Sequence, residues 1–524
     1  MRPSKARRLA VLLTAIASIT VITGSAAAAP GDIPLSIGFR KAVTLAGIRE
    51  HQAAFQSHSS SQGNRVAGSP AFAASRDYVA QRMTAAGYTV STQPFEFVYN
   101  ADATPPTLNQ VSPRPTTYVD GNDFATMTFS GNIASTTAPV WAVDLALPAA
   151  PGPGATTSGC EAADFAGMPA GVIALMQRGT CTFGAKTDNA MAAGAVAAVI
   201  FNDGGDAGRV GVINGTLGPG THGPAVGTTL ALGQDLSNGI FNGSTHSTVT
   251  IRIDRINETR TTHNVIAETR GGDPNRVVVV GAHLDSVPRG PGINDNGSGS
   301  AANLEIAEVY AAQARAPRNK LRFIWFSAEE FGLLGSQAYV DSLSQAQRSQ
   351  IMAMINFDMI GSPNYVRFVY DGDNSTGQGS TGPAGSAHLE SLFVEYFNAA
   401  GLANDPTPFN GRSDYGPFIA VVIPAGVLFT GAEGVKTDAQ KDTYGGTAGI
   451  QYDPCYHLAC DTFAGTDTAY AKKGLDEMSD AAAHVILMLS RTKIDVRQTE
   501  AIAALRSSGS NVADSPGPDP LLDR

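Results

Sequence analysis

The residues best suited to chemistry in this chain are five potential metal ligands between positions 283 and 457: His283, Asp295, Glu330, Asp358 and His457. Two imidazoles together with three carboxylates suit zinc, whereas calcium and magnesium prefer sites made of oxygen atoms. The set fits two zinc ions about 3.5–4 Å apart that share one carboxylate and one water molecule. The alternative is that the five residues have separate structural roles.

The local sequence before His283 is the most informative. Four valines at 277–280 predict a strand that is buried on both faces, because a half-exposed strand would alternate apolar and polar residues. A central parallel strand brings the residues after it to the carboxyl edge of the sheet, where open α/β folds place their sites. His283 lies at that edge, and we expect Asp285 to hold its second ring nitrogen.

Three acids follow two other apolar segments. Glu329 and Glu330 come shortly after residues 323–326, and Asp358 comes directly after residues 354–357. Neighbouring carboxylates repel each other, so the adjacent pair predicts a cation or a raised pKa, with one acid binding metal and the other moving protons. Alternatively, Glu329 and Glu330 lie at a helix N-terminus, where the helix dipole favours acids. The alternative for Asp358 is an ordinary turn residue.

The remaining two candidates lie in loops. Asp295 belongs to the glycine-rich segment 290–300, where glycines let the backbone approach an ion closely. A flexible loop with a cap for the next helix is the alternative there. His457 lies between Cys455 and Cys460, whose disulfide would hold it rigidly. An ordinary loop histidine is the alternative.

The beginning of the chain predicts export. A basic start, an apolar run and small residues at 26–29 together indicate that residues 1–29 are a secretory signal peptide, so we expect a secreted protein. Four cysteines in an exported chain favour disulfides, and we expect the pairs Cys160–Cys181 and Cys455–Cys460. A zinc site made of the four thiolates is the alternative.

Charge and hydropathy exclude some partners. The net charge of −10 gives no electrostatic attraction to nucleic acid or to an anionic membrane, so we expect neither as a partner. After the signal segment we find no run of about 18 apolar residues, so we expect no membrane span.

The order of the elements predicts an α/β protein. From residue 264 onward, strand and helix patterns alternate, which predicts a mixed, mostly parallel sheet sandwiched by helices. Short strands, Gly/Pro turns and one alanine-rich helix predict an inserted β-rich α+β unit at 126–250. The expected divisions are a main domain in two parts, 30–125 and 251–495, this insertion, and a C-terminal helix and tail at 496–524.

Six short motifs carry a family resemblance: HLDSV at 283–287, GPGINDNGSG at 290–299, SAEEFG at 327–332, NFDMIG at 356–361, GRSDYGPF at 411–418 and CYHLACD at 455–461. Together they resemble the M28 zinc peptidases, specifically secreted bacterial leucine-type aminopeptidases, over about 42–100 and 255–492. The insertion is similar to a protease-associated (PA) domain, through Gly159-Cys160, residues 178–183, Lys186 and residues 193–195.

The resemblance implies a role for each potential ligand. His283 and Asp358 would hold one zinc ion, and Glu330 and His457 would hold the other. Asp295 would bridge the two ions, and a cis peptide bond would follow it. A calcium ion away from this centre is a further implication, and the sequence assigns no ligands to it.

The resemblance also implies the catalytic residues. Glu329 would be the general base toward a hydroxide that bridges the metals, and Tyr456 would hydrogen-bond the developing oxyanion. Arg412 and Phe429 would lie near the amino end and the side-chain pocket of the substrate. The implied enzyme is a monomer that removes an N-terminal residue, such as Leu, from peptides and proteins.

Three other functions share this architecture. A carboxypeptidase of the same family would need a basic pocket for the substrate carboxylate, and a silent binding protein would have lost ligands or the base. A cyclase would use one zinc ion. For the insertion we expect either a limit on substrate length or a passive stabilising role.

Overall fold

The computed structural model describes residues 35–147, 154–205, 209–218, 220–313 and 316–499. The expected signal peptide at 1–29 lies outside these residues, as do positions 500–524 of the expected C-terminal helix and tail at 496–524. Within the described ranges, none of the helices combines the length and the apolar character that a membrane span requires.

The main domain is built on an eight-stranded mixed sheet. Its four central strands are parallel to one another, and antiparallel pairs flank them on both sides. This agrees with the mixed, mostly parallel sheet expected from the sequence. In spatial order the strands are β1 (Thr89–Asp102), β10 (Arg255–Glu268), β12 (Asn319–Phe326), β11 (Asp273–His283), β13 (Ile351–Phe357), β16 (Ala425–Phe429), β14 (Phe368–Tyr370) and β15 (Asp405–Thr407).

The four valines lie in β11, which is parallel to both of its neighbours. Val278 and Val280 pack into the core on one face of the sheet, whereas Val277 and Val279 pack into the core on the other. Because side chains alternate along a strand, only a strand covered on both faces can bury four in a row. The prediction of a central buried strand is confirmed.

Helices cover both faces of this sheet. On one face lie α1 (Ile37–Arg40), α2 (Leu45–Ser59), α3 (Pro70–Ala85), α6 (Gly297–Ala312), α9 (Ser386–Ala399) and α12 (Ala469–Arg491). The other face packs against α7 (Leu334–Ser342) and α10 (Gly416–Ala420). The domain also contains α8 (Gln345–Gln350) and α11 (Asp438–Tyr444).

The insertion has its own eight-stranded sheet. In spatial order its strands are β3 (Thr116–Thr117), β2 (Thr107–Ser112), β9 (Gly243–Ile253), β5 (Ile133–Ala142), β6 (Ile173–Gln177), β7 (Ala197–Phe201), β8 (Ala225–Thr228) and β4 (Phe124–Thr126). Two helices belong to it, α4 (Phe183–Ala192) and α5 (Leu230–Ser237). Three of its strands lie before or up to residue 126, where we expected the unit to begin, so we propose bounds of 103–254 for it.

Both expected disulfides are formed. Cys160 bonds Cys181 in the insertion, and Cys455 bonds Cys460 in the main domain. These pairs exclude the alternative of one zinc site made of four thiolates.

Candidate metal centre

The five potential ligands come together at the carboxyl edge of the parallel strands. His283 is the last residue of β11, Asp358 directly follows β13, and Glu330 lies four residues after β12. Asp295 and His457 are brought to the same edge by loops. Parallel strands end at a common edge, which explains how residues so distant in sequence meet.

Asp295 lies between the two histidines. Its Oδ1 is 3.2 Å from His283 Nε2, and its Oδ2 is 3.1 Å from His457 Nε2. The Asp358 carboxylate is 3.4 Å from His283 Nε2, and the Glu330 carboxylate is 3.1 Å from His457 Nε2. The five residues therefore form two clusters of three ligands that share one carboxylate.

The backbone of the Asp295 loop is held by hydrogen bonds to a second acid, Asp461. Both carboxylate oxygens of Asp461 accept hydrogen bonds, from the N–H of Asn294 at 2.7 Å and from the N–H of Asp295 at 3.0 Å. The Asp295–Asn296 peptide bond is cis, as expected. Gly292 has φ +62°, and a β-carbon there would lie 2.2 Å from the Asp295 carbonyl oxygen, so this turn requires glycine.

A buried arginine holds the loop between His283 and Asp295. The Arg65 guanidinium donates to the carbonyl oxygens of Leu284, Pro291 at 2.9 Å and Gly292 at 2.7 Å. Because these carbonyls lie at both ends of the loop, one side chain sets the spacing of the two ligands that flank it. Burial lowers the pKa of Arg65 to about 10, so it stays charged at neutral pH.

The ring of His283 is oriented by Asp285, through the backbone. His283 Nδ1 is 3.2 Å from the Asp285 carbonyl oxygen, which can only accept, so Nδ1 carries the proton and Nε2 presents a lone pair. The Asp285 carboxylate is farther from Nδ1, at 3.7 Å, and accepts from the Glu329 N–H at 3.3 Å. Asp285 thus fixes one histidine and positions the Glu329 backbone.

A short relay orients Asp358. The Ser413 hydroxyl donates to Asp358 Oδ2 at 2.6 Å, and the Asn356 side-chain amide donates to the Ser413 hydroxyl oxygen at 2.8 Å. This leaves Asp358 Oδ1 directed toward His283. Asn356 lies in β13, so the rigid sheet sets the position of the carboxylate.

Three residues at the site have left-handed backbone conformations that non-glycine residues rarely adopt. They are Ala328 with φ 55°, Met359 with φ 51° and His457 with φ 59°. Ala328 precedes Glu329 and Met359 follows Asp358, so each turn redirects the chain next to a functional side chain. Such conformations cost of order 1–3 kcal/mol each and persist only where the surrounding structure holds them.

The electrostatics indicate that the site needs cations. Burial, followed by the charge of Asp295, raises the pKa of Glu330 to about 7. Burial would lower the pKa of His283, but the carboxylates of Asp358 and Glu329 raise it well above its usual value. Burial likewise raises the pKa of Glu329 well above its usual range. Acids packed this closely ionise together only if positive charge lies among them.

The donor set fits zinc. Among the described residues, His283 Nε2 and Glu330 Oε1 are buried atoms without a hydrogen-bond partner, and both belong to the ligand clusters. Imidazole nitrogens with carboxylate oxygens are the donors that zinc prefers. The residues present therefore match two zinc ions better than calcium.

The two aromatic candidates lie at the rim of the cluster. The Tyr456 ring stacks on His457 with centroids 3.8 Å apart, and burial with the charge of Asp295 raises its pKa well above 10. Its hydroxyl therefore stays protonated and can donate. Phe429 ends β16 and stacks on Phe368, with Tyr370 also nearby.

Arg412 lies at the surface beside these residues. It pairs with Glu433 at 2.9 Å and is largely exposed. Arg412 is close enough to Tyr456 for its positive charge to oppose the rise in the Tyr456 pKa, so the two side chains lie on the same rim.

Three residues that complete the site were not singled out by sequence reasoning. Arg65 is far upstream of the motifs and has no local signal. Asp461 closes the CYHLACD motif, and its position after Cys460 was the available signal. Asp414 is fully buried beside Ser413, both of its carboxylate oxygens lack a hydrogen-bond partner among the described residues, and burial raises its pKa to about 7.

The chain is similar to known proteins in sequence. The model for peptidase family M28 matches residues 264–486, and the model for the PA domain matches residues 137–236. An aminopeptidase of Pseudomonas aeruginosa is 47% identical over 433 residues, which cover 82% of this chain and 77% of that protein. Leucine aminopeptidase 2 of Trichophyton equinum is 47% identical over 312 residues, 59% of this chain and 61% of that protein.

The chain is also similar to solved structures of aminopeptidases. The aminopeptidase from Aneurinibacillus sp. strain AM-1 has a TM-score of 0.63 at 28% identity, covering 86% of this chain and 94% of that one. A zinc aminopeptidase from Bacillus subtilis has a TM-score of 0.58 at 25% identity, covering 84% of this chain and 94% of that one.

Proposed function

Because this chain belongs to peptidase family M28 and is a zinc aminopeptidase, we propose that it works with two zinc ions, one on each side of the Asp295 carboxylate. His283 and Asp358 would hold one ion, and Glu330 and His457 would hold the other. The observation that carries this proposal is the placement of Asp295, with one oxygen 3.2 Å from His283 Nε2 and the other 3.1 Å from His457 Nε2.

The ions, when bound, would polarise the substrate carbonyl and lower the pKa of a water molecule toward neutrality. Glu329 is the base that would take the proton of this water, hold it on its carboxylate and pass it to the leaving amine. Its place supports this role, because Glu329 Oε2 is 3.9 Å from His283 Nε2 and it adjoins the ligand Glu330. Tyr456, protonated at working pH, would donate a hydrogen bond to the oxyanion.

The substrate would be a peptide or protein with a free N-terminus and a large hydrophobic first residue. Relatives include leucine aminopeptidases, and Phe429 with Phe368 and Tyr370 offers an apolar surface at the end of β16. Arg412, exposed and paired with Glu433, would lie near the amino end of the substrate. Acidic groups of the site would recognise the α-amine.

We further propose a secreted, monomeric enzyme. The two disulfides support an oxidising destination. The insertion would limit the length of substrates that reach the site. Asp120 of the insertion pairs with Arg289 at 2.8 Å. Because Arg289 lies in the loop between His283 and Asp295, the insertion contacts the loop that connects these two potential ligands.

Kinetics on a matched set of substrates tests the proposed activity. Aminoacyl-anilides of Leu, Phe, Ala and Asp would rank the first residue, and we expect Leu and Phe to give the highest kcat/KM. An N-acetylated leucyl peptide, compared with its free counterpart, should not be cleaved. Cleavage of the blocked peptide from its carboxyl end would overturn the proposal, as would full activity after exhaustive chelation of metal.

A further inference from the structure

A second group of potential ligands lies away from the site described above, where α2 meets α6. It consists of His51 on α2 and Glu305 and Glu308 on α6. Nε2 of His51 is 3.8 Å from an oxygen of Glu305 and 3.8 Å from an oxygen of Glu308. Glu305 lies eight residues along α6 from its first residue, which places it about 12 Å along the helix from the end that carries Asp295.

His51 has an unused ring nitrogen that points into this group. The side chain is fully buried, and its Nε2 has no hydrogen-bond partner among the described residues. The other nitrogen, Nδ1, is 2.8 Å from the Tyr78 hydroxyl, which fixes the orientation of the ring. Burial lowers the pKa of His51 to about 4, so the imidazole is neutral at pH 7, as a metal ligand must be.

The two carboxylates are held in place by other groups, and one oxygen of each faces His51. Glu305 Oε1 accepts from the N–H of Thr44 at 3.0 Å and from its hydroxyl at 3.2 Å. Glu308 accepts two hydrogen bonds from Arg82, both at 2.6 Å. Both Oε2 atoms lie 3.8 Å from His51 Nε2, and that of Glu308 also accepts one of the Arg82 hydrogen bonds.

The backbone of α2 makes room for this arrangement at Gly47. A β-carbon at Gly47 would lie 2.3 Å from the Glu305 carboxylate. The absence of a side chain there lets the carboxylate approach the helix and stay close to His51.

The local charges leave room for a divalent ion. Arg82 pairs with Glu308 and also with Glu50 at 3.1 Å, so one cation faces the three carboxylates of Glu50, Glu305 and Glu308. Glu50 is exposed, so solvent screens its charge. With His51 neutral, the more buried Arg82, Glu305 and Glu308 sum to one negative charge, which a bound cation would offset.

The spacing also fits. Donors at 2.0–2.2 Å from a tetrahedral zinc ion are about 3.3–3.6 Å apart. The two separations of 3.8 Å would need to contract by only a few tenths of an ångström, and all three donor atoms lie within 4.8 Å of one another.

From these observations we propose that His51, Glu305 and Glu308 bind one divalent transition-metal ion of the zinc type, separate from the catalytic centre. The ion joins α2 to α6, the helix that begins directly after Asp295 and Asn296. One nitrogen and two oxygens select zinc or a similar metal over calcium. The role of this ion is to stabilise the packing of α2 against α6.

Crystals of the full-length protein, grown with zinc at no more than three times the protein concentration, test this site by diffraction at the zinc absorption edge. We expect an anomalous peak 2.0–2.2 Å from His51 Nε2, distinct from any peak at Asp295. An ordered water without anomalous signal at this place, or no peak, would overturn the proposal whatever the catalytic centre binds.

Two variants supply the solution test. In His51→Gln we expect one zinc ion fewer per chain than in wild type, and an unchanged kcat. His58→Gln on the same helix, whose ring contacts Ser75 instead, is the control and should keep the wild-type zinc content. Added zinc should raise Tm less in the His51 variant than in the control. Equal zinc content in the two variants would contradict the proposal, and if His51→Gln fails to fold, the wild-type diffraction experiment decides.

Discussion

Asp295 and Glu329 are buried acids of one cleft whose surroundings push their protonation in opposite directions. Burial would raise the pKa of Asp295, but the neighbouring imidazoles of His283 and His457 hold it well below the usual value. Glu329 has one imidazole nearby, that of His283 at 3.9 Å, and burial raises its pKa well above the usual value. An acid that stays ionised, such as Asp295, is suited to bind metal. An acid with a raised pKa, such as Glu329, is suited to accept a proton. The two carboxylates can therefore have different roles in the same cleft.

The substitution Glu329→Gln tests whether Glu329 is the general base rather than a metal ligand. We expect kcat to fall by about 10²–10⁴-fold, because a general base contributes that much, while two zinc ions remain bound. Metal analysis beside single-substrate kinetics provides the measurement. Glu330→Gln is the matched control and should lose zinc as well as activity. A Glu329 variant with two zinc ions and near-normal kcat would refute its role as base.

Residue types and spacing predicted which side chains meet, because each of His283, Glu330 and Asp358 follows an apolar strand that had to be buried. The support beneath them could not be predicted in this way. Arg65 acts through backbone carbonyls of a loop more than 200 residues away in sequence, and no local pattern records such a contact. Asp461 likewise accepts from backbone N–H groups, which every residue type except proline offers.

At the scale of elements, the loop around His457 illustrates how covalent and backbone constraints combine. The Cys455–Cys460 bond closes a short loop in which His457 adopts its left-handed conformation. The structure of this loop, rather than the imidazole alone, keeps the ligand 3.1 Å from both Asp295 and Glu330.

Replacing Cys455 and Cys460 together by serine should weaken the second metal position. We expect stability to fall by about 2 kcal/mol for so short a loop, and about one zinc ion to be lost per chain at low zinc concentration. The measurement is zinc content with kcat at several zinc concentrations. Replacing Cys160 and Cys181 instead should cost about 3 kcal/mol without loss of zinc. Equal effects of the two double variants on zinc would contradict this account.

The contact between His484 of α12 and Ser36, which directly precedes α1, makes stability depend on pH. His484 Nδ1 is 2.7 Å from the Ser36 hydroxyl, and burial, followed by the charge of Arg40, lowers the pKa of His484 to about 4. The unfolded chain, with a histidine pKa near 6.5, binds this proton more readily than the folded chain. Stability from this group is therefore complete above about pH 6.5 and is lost as pH falls toward 4.

The variant His484→Gln should remove this part of the pH dependence. Between pH 7 and pH 4 the wild type should lose up to about 3 kcal/mol more unfolding free energy than the variant. Urea titrations at four pH values across that range provide the measurement. Parallel curves for wild type and variant would show that the histidine does not contribute.

At the scale of the whole molecule, the insertion meets the main sheet where β1 ends and β10 begins. Asp102 of β1 and Arg255 of β10 are paired neighbours in the antiparallel register, so the chain leaves and re-enters the main domain at one place. The sequence predicted that an insertion exists but placed its start at 126. The strands at 107–126 are short and rich in turn residues, which made them resemble a linker until the second sheet showed their partners.

This geometry allows a clean deletion. Joining Asp102 to Arg255 through Asn-Gly, which favours a two-residue hairpin turn, should leave zinc content and hydrolysis of leucyl-anilide within a few-fold of wild type. If the insertion limits substrate length, kcat/KM for a ten-residue peptide should rise relative to a dipeptide. An unchanged ratio in a folded, active deletion protein would leave the insertion with a stabilising role alone.

The most direct test of the central claim is an anomalous diffraction map of the active, full-length enzyme, collected on both sides of the zinc absorption edge. The account predicts two strong zinc peaks at the catalytic edge of the sheet. One should contact His283 and Asp358, the other His457 and Glu330, and each should contact one oxygen of Asp295. A single peak there in crystals whose dissolved protein retains full activity would contradict the two-ion mechanism.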